Sequence, residues 1–172
     1  MTIDIRFRHP GLAAAEIAAV EQRVGAPLPP EYRQFLAAGN VGMPAPNVAR
    51  APTITCSVAK FLGVSDVASD DLGAAVDTYS GRLPDGVFPV ALAAGGNLVC
   101  IVLKDGSVHF WDHENEAAEG EPVDFRNMHL LAKSFAEFLK LLAPPDPAGA
   151  GAAKVVSVKL KPGFAERFKN SS

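Results

Sequence analysis

The sequence predicts an α+β protein built on an antiparallel sheet. Three observations carry that expectation. Strand-like runs cluster in the middle of the chain, helical periodicity lies mainly towards its two ends, and Asp105-Gly106 divides the longest apolar stretch as a hairpin turn would. Clustered strands between flanking helices suit hairpin connections better than βαβ repeats.

In chain order, Ile17, Val20 and Val24 recur at helical spacing within LAAAEIAAVEQRV, and Gly25 supplies a left-handed stop. A second helix restarts at Pro30, which suits a first turn where no amide donor is needed. Tyr32, Phe35 and Leu36 are its apolar stripe, and Gly39-Asn40 closes it. From Val41 to Pro52 the Gly/Pro/Asn-rich composition predicts neither helix nor long strand. Thr53 to Val64 is rich in β-branched residues and reads as one or two short strands bending near Gly63. A short helix from Asp71 to Tyr79 follows, capped by Ser69 or Asp70.

The run Leu98 to Leu103 then meets Val108 to Trp111 across Asp105-Gly106. A two-residue type I′ turn would pair Leu103 with Val108, Ile101 with Phe110 and Cys100 with Trp111. Alternation then puts Ile101, Val108 and Phe110 on one face, and Cys100, His109 and Trp111 on the other. An edge strand is expected around Val123 to Arg126. Ser134-Phe135-Ala136-Glu137 forms a capping box that starts a last helix carrying Phe135, Phe138, Leu139 and Leu142. Residues 1–143 are expected to form one domain. Residues 144–153 are a Pro/Gly/Ala linker by composition, and 154–172 a basic extension of a strand and a short helix.

At 172 residues, with 48% hydrophobic and 20% charged residues, the chain has the composition of an ordinary soluble globular protein. A net charge of −3 disfavours nucleic acid or an anionic membrane as partner. With no signal-peptide core and no apolar run of about 18 residues, the expected location is cytoplasmic. Cys56 and Cys100 are the only cysteines and form no CxxC pair, so no disulfide framework is expected, and Cys100 reads as a small core hydrophobe.

Candidate chemistry is sparse. His109, Asp112, His113 and Glu114 invite a metal, but on one strand the two histidines lie roughly 13 Å apart, too far to share an ion. Ser107 and His109 share a face without a carboxylate placed to orient the imidazole, and Gly95-Gly96-Asn97 precedes a strand where phosphate binding needs a helix. No cofactor or metal is therefore expected. Two acidic stretches remain. One holds Asp112, Glu114, Glu116, Glu119, Glu121 and Asp124; the other holds Asp66, Asp70, Asp71, Asp77 and Asp85. Such stretches serve solubility or steer a basic protein partner.

Several ordered segments resemble the SUKH superfamily of Smi/Knr-type proteins. Glu21, Gly25, Leu28-Pro29, Tyr32 and Phe35-Leu36 are followed by Asn40, Gly42 and Pro44, with Val41 standing where members usually carry glycine. Phe61-Leu62-Gly63, then Pro89, Ala91, Gly96-Asn97, Gly106 and Trp111-Asp112-His113-Glu114, and finally Ser134-Phe135 with Phe138-Leu139, complete a match over about residues 15 to 143. The resemblance implies helices around a curved antiparallel sheet and no catalytic residues. It also implies an immunity protein that binds and neutralises a toxin, often a nuclease, of an interbacterial competition system. Partner-binding residues are then expected among Asp112, Glu114, Glu116, Glu119, Glu121, Asp66, Asp70 and Asp71. The alternatives are a small hydrolase or ligand-binding protein with a pocket near His109 and His113, or a regulatory module that self-associates through its basic extension.

Overall fold

Ile3, Ile5 and Phe7 alternate with Asp4, Arg6 and Arg8 near the amino terminus, and this stretch forms a first strand, β1 (Asp4–His9), that the sequence reading had not anticipated. In the computed structural model, residues 3–143 are described. Helix α1 (Ala14–Val24) ends at Gly25, whose φ of 86° is the expected left-handed cap, and α2 (Pro30–Ala38) begins with its proline in the first turn. The corner between them is clamped by Glu21, whose carboxylate accepts from the Leu28 amide at 2.9 Å and lies 3.5 Å from Arg33.

The Gly/Pro/Asn-rich stretch, where neither helix nor long strand was expected, forms two strands, β2 (Asn40–Ala45), longer than the composition suggested, and the short β3 (Val48–Arg50). Tertiary pairing overrides composition here. β1 pairs with β2 along Asp4–Ala45 to His9–Asn40, and the small residues of β2 are what its side chains require. A Cβ on Gly39 would lie 2.1 Å from the Phe7 ring, and one on Gly42 would lie 2.6 Å from Ile5. Val41, standing at the family's glycine position, is buried with a φ of 54°, a left-handed conformation that a β-branched residue adopts only under constraint.

β4 (Thr55–Phe61) pairs with β2, β3 and the next strand, β5 (Val87–Ala93). Between β4 and β5 lies α3 (Leu72–Thr78), capped by Asp71, which accepts from Ala74 N at 2.7 Å, and by neither Ser69 nor Asp70. β6 (Leu98–Val102), β7 (Val108–Trp111) and β8 (Met128–Ala132) complete the main path, so β8 lies at 128–132 and not at 123–126. α4 (Phe135–Leu141) is capped by Ser134 and hands over to β9 (Leu142–Ala143), which pairs with β3. The sheet is antiparallel and open, in the order β1-β2-β4-β5-β6-β7-β8, with β3 and β9 alongside β4 off that path. Register shifts at Val58/Lys60, Pro89/Ala91 and Val108/His109 bend it.

The hairpin register differs from expectation by two residues. Ile101 pairs with Val108, Cys100 with His109 and Leu98 with Trp111. A type I′ turn needs positive φ at both central residues, and only Gly106, at 73°, has it. Asp105 instead accepts the amide and hydroxyl of Ser107, giving a four-residue loop from Leu103 to Gly106 closed by Gly106 N to Val102 O at 2.8 Å. A shift of two preserves the side-chain alternation, so the face assignment holds.

One face, with Val99, Ile101, Val108 and Phe110, joins α1, α2 and α4 in a core where Tyr32, Phe35, Phe61, Phe135 and Phe138 stack with centroids 4.9–6.3 Å apart. The other face carries a smaller cluster of Leu83, Leu98, Cys100, Trp111 and Met128. Burial pushes the thiols of Cys56, to about 11, and Cys100 upward, which leaves both as inert core groups. The expected linker and basic extension, residues 144–172, lie outside the described residues.

Candidate functional site

At the end of β7 the chain leaves the sheet through Trp111-Asp112-His113-Glu114. Trp111 is fully buried and anchors the corner from below. Asp112 caps a single 3-10 turn, His113–Asn115, by accepting from Glu114 N at 3.1 Å and Asn115 Nδ2 at 2.7 Å. The buried Asn127 closes the far end of the loop: its side chain donates to Asp112 O at 2.8 Å and its carbonyl accepts Asp112 N at 3.0 Å. Residues 112–127 thus form a loop pinned at its base.

Asn97 joins the two halves of the sequence signature. Its Nδ2 donates to Ala94 O at 2.9 Å, so Oδ1 must be the atom facing His113, where it accepts both the backbone N–H at 3.0 Å and Nδ1–H at 3.1 Å. That assignment places the imidazole proton on Nδ1 and leaves Nε2 as an acceptor. Gly96, at a φ of 80°, brings the backbone under the ring, where an added Cβ would sit 3.5 Å from it.

The acids of the loop divide into two groups. Glu116 is held by Arg82 through two 3.0 Å hydrogen bonds, and the Arg82 guanidinium lies over the rings of Tyr79, at 4.9 Å, and Trp111, at 5.4 Å. Glu121 and Asp124 share Arg126. Glu114 and Glu119 are exposed and make no ion pair among the described residues.

The earlier acidic stretch is used differently. Asp70 keeps only 3% of its side chain exposed and binds Lys60 and Arg8, with Ser69 donating at 3.2 Å. The Lys60 hydrogen bond dominates over burial and holds its carboxyl below the usual range. Asp71 accepts from Ser65 and Ala74, and Asp77 pairs with Arg23. Of the residues expected to meet a partner, Asp70 and Asp71 are therefore spent on the fold, and in that stretch Asp66 remains exposed.

The hydrolase alternative rests on a concave site of about 460 Å³ lined by Asp105, Ser107, His109, Leu130 and Lys133. His113 is not part of it. Ser107 Oγ donates to Asp105 at 2.6 Å, so His109 Nε2–H, 3.0 Å away, must donate to that same oxygen. His109 Nδ1 is buried without a partner, and desolvation lowers the imidazole's pKa despite the opposing charge of Asp105. An acyl-transfer relay needs the reverse order, with carboxylate on imidazole N–H and the imidazole lone pair on the hydroxyl. Sequence reasoning missed Asp105 here because its side chain was assigned to a turn. Among the described residues no group of three or more His, Cys, Asp or Glu side chains could hold a metal ion.

The SMI1 / KNR4 family (SUKH-1) model matches residues 11–141. The chain belongs to that family. Its signature residues thereby acquire physical roles: Glu21 clamps the α1–α2 corner, Tyr32 and Phe35 fill the aromatic core, and Asn97 fixes the SUKH corner at His113. A similar protein, the SPbeta prophage-derived uncharacterized protein YokK of Bacillus subtilis (strain 168), is 38% identical over 79 residues. That stretch is 45% of this chain and 38% of YokK, so the chain matches well under half of that relative's length. No helix among the described residues is long and apolar enough to cross a membrane.

Proposed function

We propose that this SUKH domain works by binding another protein and not by catalysis, as an immunity-type inhibitor that neutralises a basic toxin, with a nuclease the leading class. The observation that carries this reading is the pinned 112–127 loop. Among the described residues Glu114 and Glu119 meet no cation, and they stand on a corner anchored by buried Trp111 and locked by Asn97 and Asn127, so the loop that carries their charges is ordered before association. An acidic, preorganised surface suits a cationic partner through electrostatic steering. Family membership supports the immunity reading, and the cytoplasm is where an inhibitor of an incoming nuclease would act. Nucleic acid and membrane are not proposed as partners, and no cofactor is invoked.

The test is to ask whether a basic toxin is encoded beside this gene, to capture it on this protein, and to follow its binding kinetics in rising salt. Glu114→Lys with Glu119→Lys should slow association by at least tenfold at low ionic strength, with the difference shrinking as salt screens the field. Glu116→Lys should do less to the partner, because Glu116 already serves Arg82. Association rates unchanged in the double variant would remove this loop from the interface.

A further inference from the structure

Among the described residues the outer face of β7–β8 is left open beside the small apolar cluster. Leu130 is 47% exposed and stands across from His109, Phe125 is 48% exposed with its ring 6.4 Å from the His109 ring, and Val123 is 37% exposed. The exposed aromatic and aliphatic side chains of Phe125 and Leu130 beside His109, with Val123 exposed on the adjoining loop, mark a contact surface. Its rim is the 112–126 loop, in which six acids stand against one arginine; Asp105 and Lys133 complete its charged border. Among the described residues β8 pairs with β7 alone, so its outer edge also offers backbone donors and acceptors.

The chain itself holds a segment of complementary chemistry. Residues 154–172 carry five Lys or Arg against one acid, with Val156, Val158 and Leu160 alternating and Phe164 and Phe168 beyond them. The reach is sufficient. From the end of β8 to Ala143 the chain runs through Lys133, Ser134, the seven residues of α4 and Leu142, which limits their separation to about 27 Å. Ten further residues, 144–153, can span at most about 33–36 Å.

We propose that residues 154–168 of this same chain occupy the outer β7–β8 face. Val156, Val158 and Leu160 add as a strand along the open edge of β8, the phenylalanines cover Leu130 and Phe125, and the lysines meet the acidic loop. The tail would then shield the face in the unbound protein, and an arriving partner would have to compete with it.

Amide hydrogen exchange on the full-length protein tests this without any partner, so its outcome is independent of the toxin reading. Wild type should show residues 154–160 exchanging at least tenfold more slowly than their intrinsic rates, with no change on tenfold dilution. Lys159→Glu with Lys161→Glu should abolish that protection and also speed exchange in β8, and Leu130→Asp should do the same from the other side. If Leu130→Asp fails to fold, the tail variant decides alone, because its substitutions lie outside the domain core. Intrinsic exchange rates in the wild-type tail, protection untouched by the tail variant, or protection that disappears on dilution and so belongs to a second copy, would each overturn the proposal.

Discussion

The two acidic stretches are alike in composition, yet the fold buries and caps with the acids of one and leaves those of the other on the surface. In the first, Asp70 is buried between Lys60 and Arg8, Asp71 caps α3 and Asp77 pairs with Arg23. In the second, the carboxylates project from a loop whose base is fixed by backbone and asparagine contacts, and two of them meet no cation among the described residues. The difference is one of degree, in how many acids receive a partner from elsewhere in the chain: Arg8 is 62 residues from Asp70 and Arg23 is 54 from Asp77, whereas in the second stretch only Glu116 meets a cation from outside its own loop among the described residues, Arg82, 34 residues away. A run of acids in a sequence therefore says little about a binding face until the distant cations are placed.

The largest effect should come from the clasp that holds the first stretch in place. Asn40 donates to Val64 O and accepts from Val64 N, both at 2.8 Å, while Gly63 exchanges backbone bonds with Asp70 and Leu72. A Cβ at Gly63 would fall 1.8 Å from Asn40 Oδ1 and 2.8 Å from Val41 N. Gly63→Ala should cost about 3 kcal/mol or more, since neither the buried amide nor the backbone can give way cheaply. Urea denaturation reads it directly. A loss under 1 kcal/mol would show that the clasp does not hold the stretch.

Asp70→Asn should come next, at about 2–3 kcal/mol, because it leaves Lys60 buried beside an uncharged group while Arg8 keeps part of its side chain in water. The pH dependence has a definite sign. The folded carboxyl is held below its ordinary value, so its contribution is complete above about pH 4 and is lost as pH falls through the lowered folded value. Asp70→Asn should therefore flatten the acid limb of stability. No comparable change should follow Glu114→Gln, and that contrast is what separates a folded-in acid from a presented one.

Much of the architecture was legible because local signals and tertiary structure agree. Gly25, Pro30 and Ser134 end or start helices for reasons internal to a few residues, and the alternation in β6 and β7 survived a wrong turn assignment because the error was an even number of positions. β2 was illegible because Gly42, and Gly39 just before the strand, answer to Ile5 and Phe7 on another strand, which no local window contains. β1 was readable in the alternation of Ile3, Ile5 and Phe7. At the site, the corner at Trp111 was readable, whereas the burial of Asp70 depended on cations brought from β1 and β4. The Asp105–Ser107–His109 order, which reverses a relay, depended on hydrogen-bond directions that spacing alone cannot supply.

A smaller effect should separate the face beside the second stretch from the interior. The pKa of His109 is lowered in the folded state, by desolvation first and by His129 in part, with Asp105 opposing; Ser107, Lys133 and Phe125 complete its surroundings. A folded value below the unfolded one near 6.5 means the contribution is intact above that pH and is lost as pH drops below it. Wild type should therefore lose stability between pH 7.5 and 5.5, and His109→Gln should reduce the loss. An identical pH slope in both proteins would mean that Nδ1 finds a partner when protonated.

The smallest effect on stability is expected where the effect on binding is largest. Glu114→Ala and Glu119→Ala remove exposed, unpaired carboxylates, so each should change unfolding free energy by less than about 0.5 kcal/mol. Arg82→Ala sharpens the comparison further: it frees Glu116 and strips a cation from the Tyr79 and Trp111 rings, adding one presented charge while loosening the base beneath it. If preorganisation matters more than charge, Arg82→Ala should raise the dissociation rate of a captured partner despite the added acid. If charge dominates, it should speed association and leave dissociation unchanged. The two rates, measured side by side, decide whether the corner binds by its field or by its rigidity.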